Sequence, residues 1–180
     1  RQGHTDAQAL EYNVAYRVIA DHGRAITFMI GDGVMPGNEG RDYVLRLILR
    51  RAARFGRMAG FRDTFLANIA ETVIKEMGGH YTELKAREQF IYNVIQQEEE
   101  RFLTTFEQGL TRLGDLVDTL KDKGKKNIPG EEVFKLHATY GFPYELTRDI
   151  ARDDYDFAVD ETGFRKAMDA HRKISGTGSF

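Results

Sequence analysis

Residues 82–120, TELKAREQFIYNVIQQEEERFLTTFEQGLTRLGDLVDTL, decide the fold class. Within them Ile91, Ile95, Phe102, Phe106, Leu110, Leu113, Val117 and Leu120 follow one another at steps of three, four or seven. That spacing stacks side chains along one face of an α-helix. It predicts one long helix, or a helix pair bent near Gly109 and Gly114, packing along a coiled-coil-like seam. The plainest reading of the segment is a helical spacer with a buried stripe.

The same period extends in both directions. Val18, Ile19, His22, Ile26, Met29 and Ile30 predict an amphipathic helix over 16–30, which the glycine-rich stretch 31–40 ends. A second helix is expected over 41–56. Asp63 is expected to cap a third, whose stripe is Phe65, Leu66, Ile69, Val73 and Met77 and whose stop is Gly78-Gly79. Residues 121–126 read as a polar basic turn, and a small hairpin is expected near 121–130. A short helix over 131–139 and a tight turn at Tyr140-Gly141-Phe142 follow. Pro143 suits the first position of a helix reaching about Asp153, and Asp160 is expected to cap a last helix through Lys173. The expected fold is all-α. It has an N-terminal helical lobe (1–80), a connecting helix or helix pair (81–120) and a C-terminal helical lobe (121–180).

Composition sets outer bounds. A chain of 180 residues, 41% hydrophobic and 30% charged, reads as an ordinary soluble globular protein, and a chain of this size buries roughly 70% of its unfolded surface. With no cysteine it has no disulfide scaffold, no Cys–zinc site and no thiol nucleophile. No apolar run approaches the ~20 residues of a membrane span. The start at Arg1 and the tail Ser-Gly-Thr-Gly-Ser (175–179) read as a piece of a longer, cytoplasmic protein.

The net charge of −2 conceals an asymmetry: residues 1–62 carry +4 and the remainder −6. Every basic residue in the first part is arginine, whose planar fork can bond two phosphate oxygens at once. On a helical wheel Val44, Leu45, Ile48, Leu49, Ala52, Ala53 and Phe55 fill one half of the second helix. Arg46, Arg50, Arg54 and Arg57 group on the other, a ridge roughly 16 Å long. Such a ridge can follow the phosphates of a nucleic-acid backbone. The alternative is that these arginines pair with acids of another helix, such as Glu98, Glu99 and Glu100. Ahead of the ridge, Asn38 sits in a glycine-rich loop. Its amide, with one acceptor and two donors, suits a base edge, and equally suits a helix N-cap.

Catalytic signals are lacking. The five histidines, His4, His22, His80, His137 and His171, are scattered and show no metal-site spacing. His22 lies on an apolar stripe and reads as a packed, hydrogen-bonded residue. There is no phosphate-binding glycine motif and no Ser/His/Asp arrangement, so no catalytic residue and no metal ligand is assigned. The chain reads as a binding module.

Several motifs occur together in one order: YRVIADHGR (16–24), DGVMP (32–36), NEGR (38–41), YVLR (43–46), RRAAR (50–54), MGGHYTEL (77–84), EEERF (98–102), Gly109-Leu110, TYGFP (139–143), ELT (145–147), and DETGF (160–164) with Met168. In this order they resemble the middle region of alanyl-tRNA synthetases, over essentially the whole chain from Tyr16 to Lys173. The resemblance implies the helical tRNA-recognition part of a class II alanine–tRNA ligase, which uses ATP to attach alanine to tRNA. The parent enzyme is implied to use ATP and Mg, with Zn in an editing domain. This segment is implied to need no cofactor, to be inactive alone, and to partner the tRNA(Ala) acceptor stem and the parent's catalytic and editing domains. Neither DNA nor a membrane is expected as a partner.

The family reads a G·U wobble pair in the acceptor stem. The RNA minor groove is wide and shallow enough for side chains, and the wobble guanine leaves its exocyclic amine free to donate to an amide oxygen. The resemblance gives that role to Asn38, with Arg46, Arg50, Arg51, Arg54 and Arg57 on tRNA. It also has departures. Ala138 stands where the family carries an Asp, and a methyl group accepts no hydrogen bond. Either Glu145 or Asp149 compensates, or discrimination is weaker or differently built. Gly37 stands where Ser is common and Leu47 where Arg is common. The competing hypothesis, from the long heptad-like stripe, is a helical protein-interaction or oligomerisation domain.

Overall fold

The computed structural model describes residues 6–176, and side chains over most of that span. His4 and residues 177–179 of the tail lie outside the described residues. The chain divides into two compact units, residues 1–103 and 104–180. The boundary falls inside the long helix, within the 81–120 segment that the sequence suggested as the connection between two lobes.

Helices are the only regular elements in the described part of the first unit. It holds α1 (Asp6–Gly31), α2 (Gly40–Met58), α3 (Leu66–Met77), α4 (Thr82–Ala86) and the first half of α5 (Glu88–Asp122). α1 packs on α2 and α3. Its Ala15, Ile19, Ile26 and Ile30 are buried, as are Leu45, Leu49, Ala52 and Ala53 of α2 and Leu66, Ala70 and Ile74 of α3. α1 starts ten residues before the stretch predicted from its stripe. Leu10 and Val14 there are exposed and, among the described residues, only Ala15 is buried, so no large apolar stripe marked the extension.

The expected break in the long segment is also relocated. α5 runs unbroken through Gly109 and Gly114, and the interruption is at Arg87. There the chain leaves helical geometry, and the Arg87 guanidinium donates to the Gly31 carbonyl at the end of α1, 2.7 Å away. Gly109 serves packing: a Cβ on it would lie 2.5 Å from Cε2 of Phe142.

α3 is capped from a distance. Asp63 is exposed and is not its N-cap, correcting the expectation, because the helix starts at Leu66. The free N–H groups of Phe65 and Leu66 instead donate to the buried Glu99 carboxylate of α5, at 3.2 and 3.1 Å. Such orphan donors need an acceptor wherever it comes from. Burial pushes the Glu99 carboxyl up to about 7, against the pull of those two N–H groups and of Arg57 and with the help of Glu100. The fold therefore holds this proton more tightly than the unfolded chain does. Stability should fall as pH rises from the ordinary value of 4.5 to about 7 and then level off. Urea midpoints at pH 5 and pH 8 check this: Glu99→Gln should flatten the difference, and an equally steep variant would assign it elsewhere.

The second unit holds the rest of α5, then β1 (Asn127–Ile128), α6 (Gly130–Tyr140), α7 (Tyr144–Tyr155), β2 (Ala158–Val159) and α8 (Glu161–Gly176). Phe106, Leu113, Val117 and Leu120 of α5 are buried with Ile128, Val133, Leu136, Phe142, Leu146 and Ile150. Phe106 stacks on Phe142 at 5.6 Å. The hairpin expected near 121–130 does not form. β1 pairs with β2, in parallel, Asn127 opposite Ala158 and Ile128 opposite Val159. Parallel strands cannot be joined by a tight turn, and here α6 and α7 make the crossover. Pro143 precedes α7 as its N-cap residue, one position from the expectation. Asp160 does cap α8, accepting the Gly163 N–H at 2.9 Å.

Apart from the half-buried Leu110, the α5 stripe is buried inside the units and leaves little seam open to another helix. That removes the main support for an interaction domain.

Candidate nucleic-acid interface

The turn between α1 and α2 leaves a short closed loop on the surface. The Gly37 N–H donates to the Asp42 carbonyl at 3.0 Å, and between them Asn38, Glu39, Gly40 and Arg41 are exposed. α2 starts at Gly40, its N-cap residue is Glu39, and no side chain caps it. Asn38 is therefore not a helix cap. Its Oδ1 instead accepts a hydrogen bond from Nη1 of Arg46.

Arg46 reaches further. Its Nε donates to Oε1 of Glu98 at 3.1 Å and its Nη2 to the Pro36 carbonyl at 3.3 Å. Arg50, one turn along α2, gives Glu98 two more bonds, from Nε at 2.9 Å and Nη2 at 2.6 Å, and its guanidinium lies 5.6 Å from the Phe102 ring centre. The Glu98 side chain is only 4% exposed, against 20% for Arg46 and 12% for Arg50. Burial pulls the Arg50 guanidinium below its ordinary range, with Glu98 opposing the shift.

This corrects the expected solvent-facing ridge. Arg54 is buried, its guanidinium 5.6 Å from the Phe55 ring centre. Arg51 is half-buried and 5.8 Å from the same ring. Arg57, also half-buried, donates to the carbonyls of Phe61 and Arg62. Arg46 and Arg50 thus take the acid-paired arrangement that composition left open, while Arg57 is bound to the turn after α2. The physical reason is Glu98, an acid on the inward side of α5 that needs cations around it.

The exposed cation of the loop is Arg41, with 79% of its side chain in solvent and Asp42 only at 4.0 Å. Sequence reading quoted Arg41 within a motif but gave it no role. Glu98 was named only as one of three acids that the arginines could pair with, not as the residue that organises them. The clue was present: Glu98 falls three residues after Ile95 and four before Phe102, on the buried stripe itself, where a charge must have a partner.

His22, expected to be a packed, hydrogen-bonded core residue, is only half-buried and lies 3.8 Å from Asp21. Burial, with Arg51 adding, lowers its imidazole below the ordinary range.

In the second unit Ala138 is exposed near the end of α6. Of the two acids named as substitutes, Glu145 is half-buried on α7, while Asp149 is buried. Asp149 accepts from Arg148 at 3.0 Å and pairs with Arg152 at 3.6 Å, so its carboxylate is engaged within its own helix. Among the described residues no three acidic or histidine side chains converge as a metal site, and no helix is long and apolar enough to cross a membrane.

Comparison with known proteins covers most of the chain. The alanine–tRNA ligase of Carboxydothermus hydrogenoformans is 50% identical over 161 residues, 89% of this chain and 18% of that protein. That of Acetivibrio thermocellus is 50% identical over 163 residues, 91% and 18% respectively. That of Desulforamulus reducens is 47% identical over 171 residues, 95% and 19%. The chain thus spans about a fifth of the length of these relatives. A family model described as tRNA synthetases class II (A) matches residues 2–179, and the chain belongs to that family.

Proposed function

We propose that this chain is the tRNA-recognition part of an alanine–tRNA ligase and that it reads the G·U wobble pair of the tRNA(Ala) acceptor stem through Asn38. The observation that carries this is the closed loop at 37–42. It holds an amide at the surface beside the exposed Arg41, with a fixed cation behind it. Family membership and the names of the relatives support the alanine–tRNA ligase part of this reading.

The chemistry follows from the groups present. A carbonyl oxygen can accept two hydrogen bonds. Arg46 takes one position on the Asn38 oxygen and the other is open to the guanine amine of a wobble pair. Arg41 supplies a phosphate contact that the buried and half-buried arginines of α2 are less free to make. Such a contact positions the duplex without specifying its sequence. ATP and Mg, and Zn if an editing domain is present, would act elsewhere in a protein of the relatives' length. The described residues offer no cluster that fits a metal, and no step above runs through one. Aminoacylation of tRNA would place the protein in the cytoplasm.

The test is fluorescence-anisotropy binding of the 180-residue chain to two acceptor-stem hairpins, one with G·U and one with G·C at the same place. Asn38→Ala should cost roughly 1–3 kcal/mol of the preference for G·U. Equal losses on both hairpins would remove Asn38 from base reading. Arg41→Ala should weaken both alike and lower the salt slope by about one.

A further inference from the structure

We propose that Arg46 is a positioning residue: anchored by the buried Glu98, it clamps the 37–42 loop and fixes which way round the Asn38 amide faces. Its part in base reading rests on the wobble-pair proposal above, whereas the clamp does not.

The argument starts from the shape of a guanidinium, a flat fork whose donors keep fixed directions. In Arg46 the three nitrogens go to three different places. Nε goes to Glu98 on α5, Nη2 to the backbone of Pro36, and Nη1 to the side chain of Asn38. Glu98 is itself held by Arg50, so the fork is fixed at its root. A fork bound at the root cannot turn, and the chain at 36–38 is tied to two helices through one side chain.

The consequence for Asn38 is orientation. The two ends of a primary amide are alike in shape and opposite in hydrogen bonding. Turned over, the Asn38 amide would set its own N–H donors against those of Arg46. The guanidinium therefore admits one orientation, oxygen toward the fork, and the exposed edge keeps a set order of donors and acceptor. A lysine at 46 retains the charge, but a single ammonium on a flexible stem cannot serve the three partners in their places.

The experiment uses the same two hairpins and adds a measurement without RNA. Arg46→Lys should lose about tenfold in G·U over G·C preference, matching Asn38→Ala, and the double variant should lose no more than either alone. Affinity for the G·C hairpin and its salt slope should not change. If instead both hairpins weaken equally and the slope falls by about one, Arg46 is a phosphate contact and the proposal is overturned.

Independently, backbone ¹⁵N relaxation at 37–40 should show order parameters near 0.85 in the unaltered chain and below about 0.6 in Arg46→Lys. A loop that is already mobile in the unaltered chain, or stays rigid in the variant, overturns the clamp whatever the RNA result. A loop that loosens in a chain with no G·U preference leaves the clamp standing and removes its base-reading role. Should Arg46→Lys fail to fold, Asn38→Ala, at an exposed position, reads the clamp from its other end. The Arg46 side-chain resonances must then shift, and unmoved resonances refute the contact.

Discussion

Glu98→Ala should destabilise the first unit by about 3–5 kcal/mol, the usual cost of removing one member of a buried charge cluster. Three bonds converge on one carboxylate oxygen, from Arg46 at 3.1 Å and from Arg50 at 2.9 and 2.6 Å. Without the carboxylate, two guanidinium groups face each other with little solvent to screen them. That penalty is distinct from any net worth of the cluster. Replacing all three residues together (Glu98→Leu, Arg46→Met, Arg50→Met) should come close to neutral, because the desolvation cost disappears with the charges. Urea unfolding of both variants separates the two effects. A Glu98→Ala loss under about 1 kcal/mol would mean that water reaches the cluster and that its burial has little energetic consequence.

Gly130→Ala should produce a loss on the order of 3 kcal/mol or more in the second unit. Helix propensity alone argues for the opposite sign, since alanine is favoured over glycine by up to about 1 kcal/mol in a helix. Contact decides the matter. A Cβ on Gly130 would lie 2.0 Å from the Phe164 nitrogen and 2.3 Å from the Gly163 carbonyl carbon. These are backbone atoms that no rotamer change can move, so α6 and α8 would have to separate, at a cost at or above the top of the usual range for overpacking. Gly79→Ala, where nothing lies within 4 Å of the added carbon, is the control and should stay within about 0.5 kcal/mol. A Gly130→Ala variant as stable as that control would show that the two helices are not in this close contact.

Much of the architecture was legible because helices report their buried face locally. The stripe from Ile91 to Leu120 placed α5, and Asp160 marked the start of α8 by its side-chain chemistry alone. Two of the misses, the cap of α3 and the hairpin, share one cause, a partner distant in sequence. Asp63 looked like the cap of α3 because nothing nearby showed that Glu99 would supply the acceptor. The hairpin near 121–130 looked local because the partner of Asn127 and Ile128 lies beyond two intervening helices.

The reading of α2 failed more instructively. A helical wheel sorts residues by polarity, and it set Arg46, Arg50 and Arg54 on the outside. A helix between two neighbours can bury a polar face if the neighbour carries the opposite charge, and Glu98 does. The motif NEGR located the loop, but only the structure joined Asn38 to Arg46, eight residues apart and on different elements.

The parallel ladder of β1 and β2 bears on solubility. Two strands make a sheet with two open sides, and an open side is ordinarily a template on which another chain can add. Here each strand is two residues long, so each side offers too few unpaired backbone groups to hold an incoming segment. Lys126 and Pro129 flank β1 and Asp160 follows β2. A charge on the edge and a residue with no N–H to donate both discourage extension. The second unit thus has the cross-link of a sheet without the tendency to polymerise that a longer sheet would bring.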